Sequence, residues 1–91
     1  MERTAMLDKA VPSREERVAV LVQERLARRG IAKPVAIDDD LRDSGISSLD
    51  MVNLMLAVEA EFGLTIPEAE MTPANFRSVA SVVALLASLQ G

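Results

Sequence analysis

Residues able to do chemistry are few in this chain, and they gather around two adjacent serines. The stretch from Asp43 to Phe62 reads D-S-G-I-S-S-L-D-M-V-N-L-M-L-A-V-E-A-E-F and sets Ser47 and Ser48 between a glycine turn and a mostly apolar run. Gly45 permits the positive φ that a sharp reversal before a helix requires. Ser47 and Asp50 have the S-x-x-D spacing of a capping box, in which each side chain satisfies the other residue's orphan backbone donor. With Ser47 as the cap, Ser48 is the first helical residue. Its hydroxyl then stands at the helix mouth, beside the positive end of the dipole. A phosphate esterified there would meet free N–H groups and favourable charge.

The other chemistries fare worse. G-I-S-S-L is not the G-x-S-x-G elbow of a hydrolase, and the chain has no histidine to act as the usual base. Without Cys or His there is no ordinary zinc ligand set, no disulfide and no cysteine nucleophile. Asp38, Asp40 and Asp43 suggest calcium, but Arg42 and Asp43 stand where an EF-hand needs an oxygen ligand and a glycine. The Asp38-Asp39-Asp40 triplet is therefore read as a solvated loop. Glu59 and Glu61 point roughly 160° apart on a helix and cannot share a substrate as an acid–base pair. An acidic face without interleaved aromatic and basic residues argues against nucleic acid.

The elements that must position the serines form one domain. Ninety-one residues, 49% of them hydrophobic but only two of them aromatic, imply a single aliphatic core. Residues 1–12 read as an extension ending at Pro12, and 13–91 as the folded domain. Ser13 and Glu16 form another capping box. Val18, Leu21, Val22 and Leu26 follow at helical spacing, with Arg25 as the polar interruption and Gly30 as the closing C′ residue. A long connection from Ile31 to Ser47 comes next, pinned by Ile31, Val35, Ile37, Leu41 and Ile46. Past Gly63, Ile66-Pro67 is extended, and Glu68 to Met71 makes one short helical turn. A last helix from Ser78 buries Val79, Val82, Val83, Leu86 and Leu89. No apolar run is long enough to span a membrane and Met1–Val11 lacks a leader's apolar core, so a soluble cytoplasmic monomer is expected.

The central helix is apolar on two sides. Met51, Leu54, Met55, Val58 and Phe62 share one face; Leu49, Val52, Leu56 and Ala60 share roughly the opposite one. A domain this small cannot bury both, so the second stripe is expected to await a partner unless the preceding loop covers it. Charge is uneven around it. Residues 1–37 carry a balance of +3, whereas 38–70 carry nine acids against Arg42 alone, a balance of −8. An acidic rim around apolar anchors would steer a basic partner.

D-S-G-I-S-S-L-D-M-V, with the later E-A-E-F and Ile66-Pro67, resembles the acyl carrier protein family over about residues 14–89. The resemblance implies an all-α four-helix bundle, three helices long and one short, with a long first loop. It implies 4′-phosphopantetheine, derived from coenzyme A, on the serine before leucine, which here is Ser48; Ser47 is the alternative. It also implies a non-enzymatic carrier that holds acyl or aminoacyl groups as thioesters. Its partners would be a phosphopantetheinyl transferase and the enzymes that activate and transfer the cargo, docking on Leu49, Asp50, Val52, Leu56 and Glu59. Three departures stand out. Ser47 replaces the family's usual aspartate, Asn53 and Ala60 stand where family members often carry glutamate, and the segment between Pro67 and Phe76 is about two residues longer than usual. G-I-S-S-L, L-M-L and F-R-S-V are similar to small discrete carriers of amino acids or specialised acyl chains. The rival reading is an unmodified helical interaction module that uses the same apolar stripe.

Overall fold

Each of the three long helices begins at a serine whose hydroxyl closes a local hydrogen-bonded ring. This is seen in a computed structural model that describes residues 13–90; the expected extension at 1–12 and the terminal Gly91 lie outside the described residues. Helix α1 spans Arg14–Ala27. Ser13 Oγ accepts from Glu16 N–H at 3.2 Å and Ser13 N–H donates to the Glu16 carboxylate at 2.9 Å, completing the expected box. At the far end Gly30 has φ +78, its N–H bonds the Ala27 carbonyl, and Ile31 N–H bonds the Leu26 carbonyl. These are the paired bonds of a Schellman closure, which needs a left-handed residue where Gly30 stands.

The long connection is more structured than its sequence suggests. Asp39 closes a turn by accepting from Ala36 N–H, and Asp40 caps a four-residue helix, α2 (Leu41–Ser44), by accepting from Arg42 and Asp43 N–H. Two of the three aspartates read as solvated loop are therefore local caps, because a short side-chain carboxylate competes well for nearby backbone donors. Leu41 and Ile46 are buried and Ile31 and Val35 half-buried, but Ile37 is 47% exposed. Ile37 contributes through its carbonyl instead, which accepts from Ala80 N–H at 2.8 Å, while Leu41 N–H donates to the Arg77 carbonyl at 2.8 Å. The loop is thereby stitched to the start of the last helix.

Helix α3 spans Ser48–Phe62 and stops at Gly63, which is left-handed at φ +63. A single 3₁₀ turn occupies Glu68–Glu70, and α4 spans Val79–Gln90. Ser78 and Ser81 cap α4 reciprocally, each hydroxyl accepting from the other's N–H. Helix α1 is the one against which both α3 and α4 pack. The core joins Val18, Val22 and Leu26 of α1 to Leu54 and Val58 of α3, Val82 and Leu86 of α4, and the fully buried Phe76. At about 1.5–3 kcal/mol for each large side chain fully removed from water, these contacts hold the bundle. Leu85 joins the buried face of α4, while Val83 and Leu89 are only half-buried. The fold is thus all-α, three long helices with short helical turns in the connections.

Candidate functional site

The mouth of α3 is built from Ser47. Its backbone is extended at φ −78 and ψ 173, its hydroxyl accepts from Asp50 N–H at 3.1 Å, and its own N–H donates to Asp50 Oδ2 at 3.3 Å. Ser48 follows as the first helical residue and is exposed. The two serines thus differ in what their hydroxyls do. Ser47 Oγ is engaged in holding the helix start, while Ser48 faces solvent beside it.

A residue that sequence reasoning did not single out completes this mouth. Arg29, just past the end of α1, donates from Nη2 to Ser47 Oγ at 2.9 Å and from Nε to Asp50 Oδ2. The Arg29 guanidinium holds the Asp50 carboxyl below its usual range, helped by the Ser47 N–H and hydroxyl against partial burial. The only sequence signal was a basic residue beside the Gly30 closure, and nothing local connects it to a serine eighteen positions on. At the other end of α3, Arg17 bonds the Glu61 carboxylate at 2.9 Å and lies 4.2 Å above the Phe62 ring. An arginine of α1 and one just past its end thus clasp one flank of α3 at both ends.

On the opposite side, Leu49, Val52 and Leu56 are 69, 51 and 55% exposed. The expected second stripe is therefore bare, and the long loop does not cover it. Its two expected acidic companions behave differently. Asp50 is turned to Arg29, and Glu59 Oε2 accepts from Ile66 N–H at 2.7 Å, fixing the chain that leaves α3. Both carboxylates serve their own fold first.

Ser48 also stands at the edge of a cleft of about 440 Å³ between α3 and the chain leading into α4. Met51, Val52, Met55, Met71, Pro73, Ala74 and Phe76 give it an apolar wall, and Asp40, Arg42 and Arg77 border it. Four of these wall residues, Met71 to Phe76, belong to the segment expected to be longer than usual. An accessible hydroxyl at the rim of a mostly apolar cleft suits covalent attachment of a flexible arm and shelter for what it bears.

A family model described as the phosphopantetheine attachment site matches residues 16–86. The chain belongs to that family, the acyl and aminoacyl carrier proteins. This carrier protein is 42% identical over 77 residues to aminoacyl carrier protein 2 of Bradyrhizobium diazoefficiens, a match covering 85% of this chain and 86% of the relative. To aminoacyl carrier protein 1 of the same organism it is 51% identical over 63 residues, covering 69% and 70%. Among solved structures it matches, with a TM-score of 0.75 and 39% identity, a chain in the crystal structure of Bradyrhizobium japonicum glycine:[carrier protein] ligase complexed with cognate carrier protein and an analogue of glycyl adenylate; the match covers 82% of this chain and 96% of that one. A second complex of that ligase, with glycylated carrier protein, gives a TM-score of 0.74 at 40% identity and covers 79% and 96%. The all-α fold expected from the resemblance is the one observed, and family membership gives the chain the carrier function and implies 4′-phosphopantetheine as the prosthetic group.

Proposed function

We propose that Ser48 bears the 4′-phosphopantetheine arm and that the cargo is an amino acid. The observation that carries this reading is the division of labour at the mouth of α3: Ser47 is occupied by Asp50 and Arg29, and Ser48 is exposed at the rim of the cleft. A phosphopantetheinyl transferase using coenzyme A would attach the arm. When bound, the arm supplies a thiol that holds the cargo as a thioester. The chain's own residues do the rest. Leu49, Val52 and Leu56 form the apolar patch on which transferase, ligase and acceptor enzymes dock, with Glu59 beside it and Asp50 on the flank held by Arg29. The Met-lined cleft keeps water from whatever folds back into it. Tethering raises the effective concentration of cargo at each docked enzyme. Likeness to aminoacyl carriers, and to chains in complexes with a glycine-activating ligase, supports the amino-acid assignment over a fatty-acid one. The departures at Asn53 and Ala60 agree with it.

The test is intact mass. Incubation with coenzyme A and a broad-specificity transferase adds one arm to the protein and none to Ser48→Ala. Glycine, ATP and a glycine:[carrier protein] ligase then add a second, hydroxylamine-labile increment. An unmodified wild-type chain, or equal gain on Ser48→Ala, would sink the attachment assignment. An arm that accepts fatty acyl groups and no amino acid would sink the cargo assignment alone.

A further inference from the structure

We infer that Arg29 is a positioning residue for the modification of Ser48. The inference rests on the assignment of Ser48 above and goes beyond it. Arg29 lies outside α3, yet it contacts both halves of the capping box, the Ser47 hydroxyl and the Asp50 carboxylate. To the box's own bonds of 3.1 and 3.3 Å the guanidinium adds two contacts, one of them to a charged carboxylate, and these help fix the orientation of the helix start. Ser47 makes this possible. Its neutral hydroxyl has a lone pair to offer Arg29 while it accepts from Asp50 N–H.

Orientation matters here because Ser48 is the next residue. In the transfer its Oγ forms a bond to the phosphorus bearing the pantetheine and the pyrophosphate P–O bond of coenzyme A breaks. Adenosine 3′,5′-bisphosphate leaves, and the serine proton passes to a base on the transferase. Misplacement of the attacking oxygen by a fraction of an ångström slows such a step far more than it weakens docking. Charge adds a second effect. Asp50 is held ionised, and Arg29 is what offsets its negative charge as an anionic donor approaches. Asp40, Arg42 and Arg77, which border the cleft with Ser48, are the other charges in view. As a pair exposed on the arginine side, Arg29 and Asp50 contribute little to global stability. The role therefore shows in rate rather than in melting temperature.

The experiment is steady-state kinetics of mass gain with coenzyme A and a broad-specificity transferase, on wild type, Arg29→Ala, Arg29→Lys, Asp50→Asn and Arg17→Ala. Arg17→Ala breaks the other α1–α3 ion pair, far from the helix mouth. Arg29→Ala is expected to lower kcat about tenfold while KM for the carrier changes less than about twofold. Its KM for coenzyme A rises, and added salt reduces that rise. Asp50→Asn lowers kcat without the change in KM for coenzyme A, Arg29→Lys recovers part of kcat, and Arg17→Ala keeps the wild-type rate. Amide exchange at Asp50 N–H, read by NMR, accelerates in Arg29→Ala and not in Arg17→Ala. A wild-type rate in Arg29→Ala overturns the proposal, as does an effect confined to KM for the carrier or an equal loss in Arg17→Ala. A wild-type chain that gains no mass overturns the Ser48 assignment instead.

Discussion

Gly45 lies against Ile31 so closely that a Cβ added to it would come within 2.6 Å of Ile31 Cδ1 and 3.3 Å of Leu26 Cδ2. Its φ of +121 is in addition a conformation that side chains resist. The turn that delivers the chain to Ser47 is thus wedged onto the end of α1, the place from which Arg29 reaches back.

Gly45→Ala is expected to cost about 1–3 kcal/mol, from backbone strain plus displacement of Ile31. Urea unfolding followed by circular dichroism would register it as a lower midpoint with an unchanged m-value.

The paired serines separate stability from modification. Ser47→Ala removes a cap and lowers stability by about 1 kcal/mol, while Ser48 remains able to accept the arm. Ser48→Ala changes stability by less than about 0.5 kcal/mol and blocks the mass gain. Thermal melts and intact mass on the same two proteins check both halves at once.

The two faces of α3 should respond oppositely to truncation. Leu54→Ala, in the core at 0% exposure, is expected to cost about 2–5 kcal/mol. Leu56→Ser on the bare stripe leaves stability within about 0.5 kcal/mol but weakens binding of the arm-bearing protein to a carrier-protein ligase by about tenfold. Calorimetric titration against the ligase measures the second effect; unchanged affinity would remove Leu56 from the docking surface.

Asp50 gives a pH dependence of known sign. Its pKa is lowered in the folded chain, so the stability it contributes is present above the ordinary carboxylate range near about 3.9 and is lost as pH falls through the folded value. Arg29→Ala removes the largest cause of that lowering, leaving the Ser47 contacts. Carbon-detected NMR titration of the Asp50 carboxyl should show its pKa rise in the variant.

What the sequence made legible was whatever is encoded locally. Capping boxes at Ser13 and Ser47, glycine closures at Gly30 and Gly63, and the two faces of α3 follow from spacings of three or four residues, and the structure has each of them. What escaped is long-range or depends on backbone. The reach of Arg29 to Ser47 and Asp50 joins positions with no shared periodicity, and the Ile37 carbonyl serves the fold while its side chain stays exposed. Asp40 was misjudged for another reason. In a run of aspartates, composition suggests solvation, and only the following Leu41 burial shows that a helical turn begins there. Asp50 and Glu59, expected at the docking surface, also bond Arg29 and Ile66 N–H within the chain, which charge balance alone does not reveal.

The two backbone bonds between the long loop and the start of α4 bear on how large a guest this fold tolerates. Ile37 and Leu41 belong to the strap that leads to the serines, whose Asp40 and Arg42 border the cleft, and Arg77, the partner of Leu41, borders it from the chain entering α4. Moving the chain that enters α4 away from the strap strains or severs those ties. A bulky passenger would therefore have to work against a latch that a small one leaves shut.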